Sequence, residues 1–403
     1  MKSILFVGNW PKPFGGIASH LYELLPGIAK SEYEVTILTF TEQNKEENFI
    51  ENGVKVIRFS PSFYFIKNFV KILKSIFINI NHKKDLSFKK YFRAISITNK
   101  INEVVKNIEP EFIFTYGNDK LCINPFLENP NKKIKIFNSI YGAFYLNPEL
   151  YANEKQFLRH ALSFSDKVLS CSQYCVDSAE NFLNINYPKK VFYNNVNEKI
   201  FNPSLNGSII REKHNIPADS IVLITMGRMI EDMGVDFLLN NLKKITSISK
   251  RLIVFFIGAK GNLCSRVISE AESNNQVRFA FDISNEQKPF YYACCDIFTA
   301  PTKDKQACMG IANIEAMLSK KAIISSSSGG HLETIEDQVS GILVPFKEGI
   351  INDELYLKNL SLLVNNENIR NSFAIKGYQR ALKLFTNDQI VKEHVDFIEE
   401  NSK

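Results

Sequence analysis

The sequence predicts an α/β protein made of two doubly wound parallel sheets, one after the other. Three observations carry that prediction. Short β-branched runs alternate with longer helical stretches through the first two hundred residues. The runs are mostly apolar without polar alternation, as strands covered on both faces are. The whole pattern then restarts at Ile221. A chain of 403 residues is long enough for two cores of ordinary size.

In the first series the expected strands are Ile4 to Gly8, Glu34 to Phe40, Val54 to Phe59, Phe112 to Tyr116, Ile134 to Ile140, Lys167 to Cys171 and Val191 to Tyr193. Helices are expected between most of them. After Gly16, the residues Ile17, Leu21, Leu24, Leu25 and Ile28 mark one apolar helical face, which Pro26-Gly27 is expected to kink or shorten. The second series is Ile221 to Met226, Leu252 to Ile257, Val277 to Phe281, Ile297 to Ala300, Ala322 to Ser325 and Ile342 to Val344. Asn202 to Gly207 reads as a linker. From about Asn371 to Glu400 the chain reads as continuous helix with no strand after it. The expected organisation is therefore a first domain over 1–202, a second over 203–385 and a C-terminal helix over 386–403 that returns to the first. Ligands are expected at the carboxyl ends of the strands and in the cleft between domains.

Composition excludes several classes. No run of about 18 uncharged apolar residues occurs, and the N-terminus goes directly into a short strand-like segment without a leader-like stretch. The expected location is the cytoplasm. Seven cysteines with no paired C-x-x-C motif and no framework spacing read as reduced, mostly buried thiols. The net charge of +6 is concentrated: residues 61–100 hold nine basic residues against one acid, so that segment carries +8 and the remainder −2. Lys67, Lys71 and Lys74 fall at helical spacing beside Phe65, Phe69, Ile72 and Ile76. A basic amphipathic helix of this kind suits an anionic bilayer surface. The competing reading is a core-packed helix whose lysines form its wet face. No nucleic-acid motif accompanies the charge, so nucleic acid is not an expected partner.

Three glycine-containing turns each follow an expected strand and open a helix: Gly15-Gly16, Gly227-Arg228, and Gly310-Ile311 leading to Glu315. Free main-chain N–H groups and a helix dipole at such a place hold phosphate. Three of them point to a nucleotide ligand. The ordinary alternatives stand beside this: a plain turn for Gly15-Gly16, a surface ion pair with Glu231 or Asp232 for Arg228, and a solvated first-turn acid for Glu315.

Taken in order, these pieces resemble glycosyltransferase family 4, enzymes with the GT-B fold of two Rossmann-like domains facing across a cleft. The matching segments are Pro13-Phe14-Gly15-Gly16-Ile17, Ser165 to Ser172, Tyr193 to Asn197, Phe201-Asn202-Pro203, Met226-Gly227-Arg228 through Asp236, Gly310 to Met317, Ser328-Gly329-Gly330 to Glu333, and Gly341 to Pro345. The resemblance implies an enzyme of the hexosyltransferase type (EC 2.4), which moves a sugar from a UDP- or GDP-sugar to a glycan or lipid-linked acceptor. It implies retention of configuration, no metal and no separate cofactor.

The resemblance also assigns roles. Arg228 neutralises the diphosphate, and the amides of Gly15, Gly16, Gly227, Gly310 and Ile311 surround it. Glu315 accepts hydrogen bonds from the ribose. Tyr141 takes the catalytic-cleft place of a family histidine, with Tyr116-Gly117 as the alternative match. Two further departures stand in the same motifs. Met233 occupies the place of a lysine, and Ala307 that of the first glutamate. Lys303 and Lys305 are the candidates to replace the missing charge. The family implication for residues 61–100 is contact with the inner face of a membrane, where a surface polysaccharide or glycolipid would be extended. The departures also leave open an alternative, a catalytically silent relative that binds a glycan or a partner subunit.

Overall fold

The computed structural model describes residues 2–10, 15–68, 70, 87–117, 134–140, 155–303 and 307–402. The chain divides into two compact units, Met1–Asn195 with Asn387–Lys403, and Val196–Thr386.

The first unit is built on β1 (Lys2–Val7), β2 (Tyr33–Phe40), β3 (Glu46–Glu51), β4 (Val54–Phe59), β5 (Phe112–Tyr116), β6 (Lys135–Ile140), β7 (Lys167–Ser170) and β8 (Lys189–Val191). Their order across the sheet is β3-β4-β2-β1-β5-β6-β7-β8. Every pairing is parallel except that of β3 with β4. Ile4, Leu5, Phe6 and Val7 of β1 are all fully buried. A strand covered on both faces has no use for polar alternation, which is why it reads as an unbroken apolar run. Strand β3 was not expected from sequence. Its residues alternate between exposed and half-buried, as an edge strand paired on one side does.

The Gly15–Ala29 helix contains Pro26 and ends one turn after it. Gly27 is a packing position: a Cβ there would lie 2.4 Å from a methyl of Val391 on the Asn387–Asn401 helix. The C-terminal stretch is two helices, Glu367–Leu384 and Asn387–Asn401, rather than one. They are separated at Phe385-Thr386, where the Val196 N–H donates to the Phe385 carbonyl and Thr386 bridges Val196. Phe397 of the final helix packs its ring against Phe114, Phe137 and Phe192.

The basic segment is partly described. Pro61–Lys67 is helical, Lys67, Lys89 and Lys90 are exposed, and Lys71 and Lys74 lie outside the described residues. Lys100 is not a surface charge. It is buried on the Phe88–Ile108 helix, 2.5 Å from Glu46 and 2.7 Å from Glu103. That helix is enclosed on every side from Ala94 to Ile101. Thr98 and Asn99 satisfy their side chains on the carbonyls of Ala94 and Ile95, one turn back. Among the described residues no helix is long and apolar enough to cross a membrane.

The second unit holds β9 (Ile221–Met226), β10 (Leu252–Gly258), β11 (Val277–Phe281), β12 (Ile297–Ala300), β13 (Ala322–Ser326) and β14 (Ile342–Val344). The order β11-β10-β9-β12-β13-β14 is the doubly wound arrangement, and all pairings are parallel. Its core gathers Leu223, Val254, Phe256, Ile297, Ile324 and Ile342 under the Asp353–Asn365 helix. That helix brings Tyr356 into the core, with its hydroxyl 2.9 Å from the Thr299 hydroxyl. The chain leaves β9 toward β10 on one side, and β12 lies on the other, so the strand order reverses at β9 and β12. Their carboxyl ends are where an open α/β sheet takes its ligand.

Candidate functional site

The site in the second unit begins where β9 ends. Gly227 extends the sheet by donating its N–H to the Ile257 carbonyl at 2.9 Å. Met233 folds back over it, with Sδ 3.5 Å from the place a Gly227 Cβ would occupy. The residue between, Arg228, is exposed, and its guanidinium makes no hydrogen bond or ion pair among the described residues. Neither Glu231 nor Asp232 neutralises it, so the surface-ion-pair alternative does not hold.

After a single 3-10 turn, Glu231–Met233, the chain reaches Gly234 at φ 73° and enters the Val235–Asn240 helix. A Cβ at Gly234 would stand 1.8 Å from the Pro301 carbonyl oxygen, so only glycine lets the two loops meet. From β12, the Thr302 hydroxyl and the Lys303 N–H both donate to the Asp232 carbonyl, at 2.7 and 2.9 Å. Lys303 also places Nζ 2.5 Å from Asp236 Oδ2. The crossovers on either side of the switch point are thereby joined. Lys303 is held at this end of the sheet, while Lys305 lies outside the described residues.

Continuing from Ala307, the chain enters the Ile311–Leu318 helix through Gly310, which is left-handed at φ 71° and supplies no side-chain cap. The helix therefore starts with main-chain N–H groups that no side chain satisfies, the arrangement that holds anions. A Cβ at Gly310 would collide with the His331 ring at 2.4 Å and approach Asn313 Nδ2 at 2.9 Å. His331 is buried and accepts or donates at Nδ1 with Ser325 Oγ, 2.9 Å away. Burial lowers its pKa to about 4, so it is neutral at pH 7 and adds no charge to the site. Asn313 is fully buried, and neither atom of its amide has a hydrogen-bond partner among the described residues.

One turn further along the same helix, Glu315 is only 6% exposed. It is therefore not the solvated first-turn acid of the ordinary alternative. Lys288 Nζ lies 2.5 Å from its Oε1, and the Tyr292 hydroxyl donates to its Oε2 at 2.8 Å. Burial, then the neighbouring Glu315 charge, pushes the Tyr292 phenol well above its ordinary range, so it stays a donor.

The structure thus gathers Gly227, Arg228, Gly310, Ile311 and Glu315 at the carboxyl end of one sheet. Gly15 and Gly16 are the first two residues of the helix that follows β1, the equivalent place in the first unit. Tyr141 lies outside the described residues. The alternative match, Tyr116, is buried and donates its hydroxyl to His394 Nε2 at 3.3 Å. Lys288, Tyr292 and Asn313 were missed. Lys288 and Tyr292 are four residues apart on one short helix, but the carboxylate they meet is more than twenty residues away in sequence, and no local pattern announces that meeting.

Residues 207–400 match the family described as Glycosyl transferases group 1. An uncharacterized glycosyltransferase of Methanocaldococcus jannaschii is 23% identical over 352 residues, covering 83% of this chain and 82% of its own. The lipopolysaccharide 1,2-N-acetylglucosaminetransferase of Salmonella typhimurium is 27% identical over 156 residues, 36% of this chain and 41% of that one. The Anabaena protein HepE, solved in complex with UDP and glucose, superposes with a TM-score of 0.69 at 16% identity, covering 98% of this chain and 99% of that one. Fold and matches together define a glycosyltransferase of the GT-B fold.

Proposed function

We propose that this enzyme transfers a sugar from a nucleotide diphosphate sugar, a UDP- or GDP-sugar, to a hydroxyl of a glycan or lipid-linked acceptor. The observation that carries this reading is an exposed, unpaired guanidinium, Arg228, at the switch point of a doubly wound sheet that also presents the uncapped helix start at Gly310. A diphosphate supplies the anion that both features would otherwise lack. The UDP complex of HepE supports the nucleotide. The lipopolysaccharide activity of the Salmonella relative supports a surface glycan as product.

In this reading the C1–oxygen bond to the donor phosphate breaks while C1 bonds to the acceptor oxygen on the same face, giving retention. The acceptor proton passes to the departing phosphate oxygen. Arg228, the amides of Gly227, Gly310 and Ile311, and the amides of Gly15 and Gly16 meet the charge that develops on the diphosphate, without a metal ion. Lys303 is the second cation, in place of the charge absent at Met233. Glu315 holds the ribose hydroxyls, and the role proposed for Tyr141, toward the sugar or the acceptor, rests on the resemblance of the sequence. Exposed Ile66 and Val70 beside Lys67, with Lys89 and Lys90, support contact of residues 61–100 with the inner face of an anionic membrane.

Calorimetric titration with UDP-, GDP- and ADP-sugars tests the donor, and NMR of the anomeric proton in the product tests retention. Heat with one nucleotide class and a product of unchanged anomeric configuration are the expected results. No heat with any donor would overturn the reading in favour of a silent glycan-binding relative.

A further inference from the structure

We infer that Lys288 and Tyr292 are positioning residues for the nucleotide, and that they prepare the Glu315 carboxylate to read two adjacent ribose hydroxyls. The inference rests on the proposed function, in which Glu315 faces the ribose.

An ionised carboxylate has about four acceptor positions on its two oxygens. In this protein each oxygen has one protein donor. Lys288 Nζ takes Oε1 at 2.5 Å, and the Tyr292 hydroxyl takes Oε2 at 2.8 Å. One position is left on each oxygen. Two remaining acceptors on a single planar group match a cis-diol, which offers two O–H donors side by side. A carboxylate held by one partner could rotate and present both acceptors from the same oxygen. Holding both oxygens removes that freedom.

Burial makes the support necessary. Glu315 is 8% exposed at its side chain, so an oxygen that loses its protein donor is not simply handed over to water and is left poorly satisfied and free to turn. The two supports are themselves fixed by the junction segment: the Phe201 ring lies edge-on to Tyr292, centroids 5.7 Å apart, and Lys288 Nζ stands 5.8 Å from the centre of the same ring. Tyr292 also reaches the Ala312 carbonyl at 3.3 Å, which ties it to the start of the helix that carries Glu315.

The test is calorimetric binding of UDP, GDP and ADP against their 2′-deoxy counterparts, with wild type, Tyr292→Phe, Lys288→Met, Lys288→Arg and Glu315→Ala. Wild type should prefer the ribonucleotide by roughly 10-fold or more, the worth of one hydrogen bond to a charged group. Tyr292→Phe, which keeps the ring and removes only the hydroxyl, should reduce that preference to about 3-fold or less. Lys288→Met should do the same. Lys288→Arg should restore the wild-type preference. If Tyr292→Phe and Lys288→Met keep the wild-type preference while Glu315→Ala loses it, the positioning inference is wrong and the ribose reading stands. If Glu315→Ala keeps the preference, or no ribonucleotide binds wild type, the ribose reading is wrong and the inference goes with it.

Discussion

At the carboxyl end of β1 in the first unit, the named polar groups are paired with one another. The Trp10 N–H donates to Thr39 Oγ1 at 2.9 Å and its indole N–H to Glu51 at 2.8 Å. His20 bonds Asn195, and Tyr116 bonds His394. Among the described residues at the carboxyl end of β9 in the second unit, Arg228 has no partner, the helix at Gly310 has no side-chain cap, and one oxygen of Asp236 and both amide atoms of Asn313 are buried without hydrogen bonds. The first unit also buries the hydroxyls of Ser3, Thr36 and Ser139 without partners among the described residues, but these lie within strands, so the two differ in where the unsatisfied groups sit. Buried polar groups without partners cost stability, and a fold keeps them where a ligand or a function compensates. The contrast supports the proposal that an anion is recognised in the second unit.

The sharpest way to break that contrast is to remove Arg228. Because its guanidinium is exposed and has no partner among the described residues, Arg228→Met should leave thermal stability within about 0.5 kcal/mol of wild type. Transfer from the preferred donor should fall by roughly 100- to 1000-fold in kcat/KM, the scale for losing one preorganised charge-stabilising group. Steady-state kinetics beside a melting curve reads both. A loss in activity below about 3-fold would remove the reason for placing the diphosphate here.

A second break is structural. Gly234→Ala puts a Cβ at φ 73° and 1.8 Å from the Pro301 carbonyl, so the joined loops must part. The expected cost is about 3 kcal/mol or more, combining a left-handed non-glycine residue with a backbone collision. Hydrogen exchange should report it as lost protection in β9 and β12 with β1 and β5 unaffected. Equal loss in both sheets would contradict a collision confined to the Gly234–Pro301 contact.

The first unit has its own vulnerable pair. Lys100→Met leaves Glu46 and Glu103 facing a buried methyl group in place of an ammonium. Since both glutamates are about a third exposed, the cost is discounted to about 2 kcal/mol. Burial alone would lower the Lys100 pKa, but hydrogen bonds to Glu103 and Glu46 more than reverse this, and the net shift is upward from 10.5. Its contribution is therefore complete below the ordinary lysine range and is lost as pH rises through the raised value. Trp10 is the chain's single tryptophan, buried in this unit, so its fluorescence during urea unfolding follows the first unit. An unchanged midpoint for Lys100→Met would show the pair to be neutral.

How much of this was legible follows from where the physics is local. Val54–Phe59, Phe112–Tyr116, Ile221–Met226, Val277–Phe281, Ile297–Ala300 and Ile342–Val344 lie where the apolar runs put them, because a strand covered on both faces must be apolar throughout. Glu46–Glu51 was illegible, since an edge strand with three glutamates resembles a loop. Phe385-Thr386 was misread as helix because the break comes from pairing with Val196, nearly two hundred residues away in sequence. At the site, the glycine turns and Arg228 could be read because a strand, a glycine and a helix in succession form one local unit. Lys288 and Tyr292 could not, because their role exists only once β12 has brought Glu315 beside them. Lys100, one of the nine basic residues counted in 61–100, is buried against Glu103, one turn along its own helix, and Glu46, which is distant in sequence.

The smallest effect is a pH dependence, read in the first unit through Trp10. His20 is buried in the first unit, and that burial, only partly opposed by its bond to Asn195, lowers its pKa to about 4. Burial and then the nearness of His20 lower His394 to about 3. Both are neutral in the folded chain at pH 7, while in the unfolded chain they take up protons below the ordinary value of 6.5. The unfolded state therefore binds more protons between 6.5 and about 4. The first unit should hold its full stability above pH 6.5 and lose it as pH falls through that window, at up to about 1.4 kcal/mol per pH unit for each histidine. His20→Gln keeps a donor for Asn195 and removes one titrating group, so the acid limb of its Trp10-monitored stability should be shallower by about that amount per pH unit. Superimposable acid limbs for the two proteins would mean that His20 is charged, or solvated, in the folded first unit.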